Sequence, residues 1–161
     1  MNMIDTYFNA ERTTGLVFII VGVVAIGVAI WGWRQGVFWR GAAWPLMIVA
    51  LIQIGVGASV WLRSPGDLLR VQHSAAHEHA QIVEDEIPRM QGVIRDFSTS
   101  RWGEIAVLVA GLLLIALVPK GSLWQGIGVG LVVQVALILL LDSLADRRGR
   151  IYLEWLQATF C

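Results

Sequence analysis

Residues 14–33 read TGLVFIIVGVVAIGVAIWGW, twenty positions without a formal charge. A helix rises 1.5 Å per residue and the hydrocarbon core of a bilayer is ~30 Å thick, so ~20 consecutive apolar residues are what a crossing requires. Such a helix has no polar face to offer water, but in lipid it satisfies its backbone groups internally. Three further stretches read the same way: 42–62, with Pro45 near its start where a missing N–H costs least, then 103–118 and 124–145. The third is short, so it must tilt little or borrow length from its flanks.

The rest of the composition agrees. Of 161 residues, 57% are apolar and 15% charged, against about 25% charged in soluble domains. With a formal net charge of zero there is no basic footprint for nucleic acid. The single cysteine, Cys161, rules out an intrachain disulfide, a paired-thiol redox centre and a cysteine-rich metal knuckle. The first basic residue is Arg12, so the first apolar run has no positive leader before it and reads as a retained anchor. The expected fold is therefore an all-α integral membrane protein of four transmembrane helices in two hairpins.

Four crossings put the N-terminus, the segment 64–100 and the tail 146–161 on one side. The opposite side holds only Arg34, Arg40 and Lys120 of the twelve basic residues. By the positive-inside rule the richer side is cytoplasmic, which predicts a bacterial-type inner membrane location with both termini inside. Tryptophans check this independently, because indoles favour the headgroup level. Trp31, Trp33, Trp39, Trp44 and Trp124 would mark the outer boundary, and Trp61 and Trp102 the inner one.

Lipid provides little hydrophobic drive between helices, so close contact depends on small residues and buried polar pairs. Gly15, Phe18, Gly22, Ala25, Ala29 and Gly32 form a smooth seam on the first span, Gly126, Gly128 and Gly130 open the fourth, and Gly55 and Ser59 share a face of the second. The two hairpins also resemble each other. Glu11 opens the first as Glu104 opens the third span, and Phe38-Trp39-Arg40-Gly41 corresponds to Leu123-Trp124-Gln125-Gly126, with a tighter connection expected at 119–122. This suggests a parallel repeat related by an axis near the membrane normal.

Polar residues in the spans are the candidate functional positions. Gln53 and Gln134 lie at depths differing by roughly 5–6 Å, so their amides are expected to meet directly or through water, as glue between helices or as part of a polar path with Asp142. At the inner edge Glu11, Arg12, Arg101, Glu104 and Asp146 are expected to form a charge network.

The connector begins Ser64-Pro65-Gly66-Asp67, a helix-start signature. At 100° per residue, Leu69, His73, Ala76, Ala80, Val83, Ile87, Met90, Ile94 and Phe97 share an apolar face opposite Glu78, Asp85, Arg89 and Asp96. Pro88 is expected to kink or divide this amphipathic cytoplasmic helix, and Ser98-Thr99-Ser100 to end it. Its Glu84-Asp85-Glu86 run disfavours anionic lipid, leaving the bundle or a protein partner as the surface it packs on. His73 and His77 are one turn apart with Glu84 on the same flank, a spacing able to hold a divalent metal, although ordinary surface histidines share it. The tail, with Tyr152, Trp155, Leu156 and Phe160 among arginines, reads as an amphipathic helix along the inner surface.

No nucleophile–base pair or phosphate loop is present, and no cofactor is called for. The leading expectation is a non-enzymatic inner-membrane protein that binds another protein or a second copy of itself within the lipid, as an accessory subunit, stabiliser or immunity-type protein. A small transporter or channel using Gln53, Gln134 and Asp142 comes second, and a metal-dependent membrane enzyme or sensor using His73, His77 and Glu84 third.

Overall fold

The computed structural model describes residues 3–161. It is all-helical in its regular elements: α1 (Met3–Gly32), α2 (Val37–His77), a three-residue α3 (His79–Gln81), a π-helical segment (Ile82–Glu86), α4 (Ile87–Leu117) and α5 (Leu123–Phe160). Four helical stretches are long and apolar enough to cross a membrane: α1, α2, the run His79–Leu117, and α5. The chain is thus a multi-pass membrane protein. α2 has 41 residues and α5 has 38, about twice what a bilayer needs, so both project well beyond it.

Each loop-end connection turns on one glycine. Gly36, at φ 122°, lies between α1 and α2, and Gly121, at φ 74°, between α4 and α5, in a region that side chains with a Cβ avoid. Ser122 then caps α5 by accepting from Gln125 N at 3.2 Å, while Gln125 Oε1 accepts from Gly121 N at 2.7 Å. Residues 33–36 form the first connection and 118–122 the second, so the second is not the tighter one; α2 starts before the apolar run does.

α1 packs along α2, α4 along α5, and α2 against α5, with a smaller α1–α5 contact. The α2–α5 crossing is the closest. A Cβ on Gly41 would fall 2.0 Å from Leu123 O, and one on Gly126 would fall 1.9 Å from Phe38 O. Only glycine allows the backbones this near. Gly15 meets Gly57 between α1 and α2, and Gly111 meets Gly128 between α4 and α5. Ala25, Ala29, Ala43, Leu46 and Ala50 fill the α1–α2 contact toward the loops. Trp31 sits edge-on to Trp39 at 5.4 Å and Trp33 to Trp44 at 5.3 Å, gathering the loop-end indoles.

Beyond the apolar spans the helix ends form a second core, the head, built from Ile4, Phe8, Val71, Ile82, Ile87, Met90, Tyr152 and Leu156. Each large side chain buried there from water contributes roughly 1.5–3 kcal/mol. The connector departs from its sequence pattern here. α2 runs straight through Ser64 and Pro65 instead of starting there, because Ser64 is packed against α1 at 1% exposure and its hydroxyl donates back to Val60 O at 2.8 Å. Burial outweighs the local start signal. The break falls instead at Glu78 (φ −140°, ψ 65°), and Pro88 takes a first-turn position of α4 where it needs no N–H partner. The expected stop at 98–100 is absent: α4 continues, with Thr99 Oγ1 donating to Arg95 O and Ser100 Oγ to Phe97 O. Residues 146–160 continue α5 unbroken.

Candidate functional site

The polar groups most deeply placed are the two span amides. Gln53 (2% exposed, α2) and Gln134 (0%, α5) meet at the α2–α5 contact, where Gln134 Nε2 donates to Gln53 Oε1 at 2.6 Å. Gln53 Nε2 and Gln134 Oε1 are left without a protein partner. The pair therefore offers one free donor and one free acceptor in a setting where each unmet group is costly. Asp142 is not part of this site: it lies two helical turns further along α5, about 12 Å away. Its carboxyl group instead lies beside that of Glu104 on α4.

The charges expected as one inner-edge network divide into two groups. Between α1 and α2, Glu11 pairs with Arg63 at 3.4 Å and lies 3.4 Å from Ser64 Oγ, while Arg12 lies over the Trp61 ring at 5.1 Å. Burial raises the Glu11 carboxyl above its ordinary range, and Arg63 opposes this only in part. Between α4 and α5, Asp146 is 5% exposed and holds Arg101 at 2.7 Å and Arg150 at 3.0 Å. Arg148 donates to Thr14 Oγ1, tying α5 back to α1.

The histidines stay on the surface. His73 and His77 stack at 4.9 Å between centroids, and a His77 ring nitrogen lies 3.2 Å from His73 O. Glu84 follows the break at Glu78 and is not gathered with them; among the described residues no group of three His, Cys, Asp or Glu side chains is placed to hold a metal.

The face expected of the connector is buried after the break, at Ile87 and Met90, but not before it, because a constant 100° step does not survive Glu78 and the π-helical segment. Leu69 is 68% exposed and His73 is exposed, whereas Val71, Ser74, Ile82 and Glu86 are buried. Glu86, which sequence periodicity did not single out, is 2% exposed and receives Arg89 through two hydrogen bonds of 2.8 and 2.6 Å. Arg70 approaches it at 3.7 Å, and Tyr152 Oη donates to it at 3.4 Å. Tyr7 stacks on Tyr152 at 4.2 Å, and burial pushes both phenols well above their usual range, so they remain neutral donors. Only the Glu86-x-x-Arg89 spacing was visible beforehand, and the π-helical segment is what turns it inward.

No protein-family model matches the chain, and no curated protein or solved structure is significantly similar to it.

Proposed function

We propose that the chain is a non-catalytic inner-membrane protein that works by binding another membrane protein along α4, with both termini in the cytoplasm. One observation supports this above others. Only 6% of the α4 apolar window is buried within the molecule, against 22–33% for the other three. Leu112, Leu113 and Leu117 are each half or more exposed, yet the head anchors α4 through Ile87 and Met90. A helix held firmly at one end and free along its spanning face is suited to receive a partner helix. The proposed orientation rests on the charge asymmetry between the two ends.

The test is photocrosslinking in native membranes from a probe at Leu113, with a probe at Val24, 60% exposed on α1, as control. A defined protein adduct from position 113 and only lipid adducts from position 24 is the expected result. Lipid adducts alone at both positions would refute the partner reading.

A second reading is transport. We further propose that α1–α2 and α4–α5 are repeats, in the register that carries Gly36 onto Gly121. That register also aligns Thr14 with Thr99, Ala25 with Ala110, Trp39 with Trp124, Gly41 with Gly126 and Leu46 with Leu131, while Glu11 then faces Asp96 and not Glu104. Transporters built from parallel repeats keep their site near the bilayer midplane at the repeat interface, where Gln53 and Gln134 stand with a donor and an acceptor free. Solute flux in proteoliposomes that is lost in Gln53→Leu would favour transport over partner binding.

A further inference from the structure

The α2–α5 contact maps onto itself when the two halves of the chain are exchanged in the register that carries Gly36 onto Gly121. A Cβ on Gly41 would meet Leu123 O at 2.0 Å, Leu123 C at 2.9 Å and Ile127 N at 3.1 Å. One on Gly126 would meet the counterparts of those atoms, Phe38 O at 1.9 Å, Phe38 C at 2.9 Å and Ala42 N at 3.0 Å. One on Gly130 would lie 2.7 Å from Cγ of Pro45, its own counterpart, as residues beside a local twofold axis do.

The outer helices break this symmetry. α1 leans on α5, but α4 makes no comparable contact with α2. The α1–α5 contact carries a polar link in which Arg148 Nη2 donates to Thr14 Oγ1, and the register places Arg63 of α2 and Thr99 of α4 at the corresponding positions. Thr99 is set as Thr14 is: Thr14 Oγ1 donates to Ala10 O at 2.8 Å and Thr99 Oγ1 to Arg95 O at 3.1 Å, which leaves each oxygen free to accept. Only the arriving guanidinium differs. Arg63 pairs instead with Glu11 at 3.4 Å, and the counterpart of Glu11, Asp96, is exposed and unpaired among the described residues.

A second arrangement therefore has the same inventory of bonds: Arg63 on Thr99 and Arg148 on Asp96, in place of Arg148 on Thr14 and Arg63 on Glu11. Packings that exchange like for like are close in free energy, which is what a two-state element requires. The turns at Gly36 and Gly121, with nothing within 4 Å of a Cβ at either, leave room for a pivot. Ile4 and Phe8 hold α1 in the head, so the arrangement seen here is the more populated one.

We propose that the protein switches between these two arrangements, α1 leaving α5 as α4 closes on α2, with Arg63, Thr99, Arg148 and Thr14 as the exchanging latch. The switch rests on the repeat reading above, and it moves burial from α1 to α4. The test is pulsed electron-spin distance measurement on full-length protein in lipid nanodiscs, in a Cys161→Ser background. One sample carries nitroxides on Thr13→Cys and Arg147→Cys, the other on Leu62→Cys and Ser98→Cys; all four positions are exposed, adjoin the latch and correspond in the register. Both samples should show the same two distances in opposite proportion, with the short one dominant for Thr13/Arg147. Thr14→Val, which removes a hydrogen bond from a charged donor, should shift the balance about tenfold, lengthening Thr13/Arg147 and shortening Leu62/Ser98 together. Thr99→Val should abolish the short Leu62/Ser98 distance and leave Thr13/Arg147 short; it decides the matter if Thr14→Val does not elute as folded protein. A single Leu62/Ser98 distance that neither variant alters would overturn the switch, and lengthening of Thr13/Arg147 alone would show that Arg148 merely braces α1. A short Leu62/Ser98 distance unlike the short Thr13/Arg147 one would mean that α4 reaches α2 outside the register, and the repeat reading would fall with the proposal.

Discussion

The α1–α2 pair and the α4–α5 pair make similar turns, yet at matching positions they carry opposite chemistry. In the register set by Gly36 and Gly121, Ile19 and Gly57 correspond to Glu104 and Asp142. In the first pair these residues touch as packing: a Cβ on Gly57 would lie 3.2 Å from Ile19 Cγ1. In the second pair the same contact joins two carboxyl groups. The seams differ as well. Gly15 against Gly57 closes the first pair near the head, whereas Gly111 against Gly128 closes the second nearer the loops. At this level the first pair closes on packing, whereas the second brings acids together and leaves α4 uncovered.

The largest expected effect comes from the contact that joins the pairs. Gly126→Ala puts a methyl group 1.9 Å from the Phe38 carbonyl oxygen, which forces α2 and α5 apart and should cost about 3 kcal/mol or more in a detergent unfolding titration. Gly103→Ala, with nothing within 4 Å, should change stability by less than about 1 kcal/mol. Equal effects at the two sites would mean that the α2–α5 crossing is not what holds the pairs together.

Next in size is the amide pair, among the described residues the one polar link across that crossing. Gln53→Leu or Gln134→Leu alone should lose about 1–2 kcal/mol by stranding the remaining amide, while the double variant should recover much of that loss. Additive losses in this double-mutant cycle would show that the amides act independently.

Making the second pair resemble the first sharpens the contrast. Glu104→Ile with Asp142→Gly should leave thermal stability within about 1 kcal/mol of the parent, because it replaces an acid pair with an apolar contact the fold already contains. Adduct formation from position 113, or flux, then reports whether the acids serve function. Severe destabilisation would mean they are structural after all.

The smallest effect concerns Glu11. Its carboxyl is raised in the folded protein, so protonation favours the fold: the stabilisation is fully present below the ordinary carboxyl range and is lost as pH rises through the raised value. Glu11→Gln should therefore be slightly more stable than the parent at neutral pH in the same unfolding titration, with the gap closing as the medium is acidified. A variant that is less stable at neutral pH would show that the Arg63 pairing outweighs burial.

How much of this was legible beforehand follows from how local each determinant is. Apolar helices depend on transfer energies that add residue by residue, so the presence of four of them could be read directly, as could the approach of Gln53 to Gln134 from their depths. The site in the head could not. Burial of Glu86 depends on where helical phase is reset, and that reset, at Glu78 and the π-helical segment, is imposed by packing of Phe8, Val71, Met90 and Tyr152 from four different helices. For the same reason Ser64 and Pro65 do not start a helix, and the exposed face of α4 reflects which helices the glycine contacts bring together. Local hydropathy determines that the chain has four helices long and apolar enough to cross a membrane; only contacts between residues far apart in sequence decide which faces close and which remain open, because their energies exist only once the helices have met.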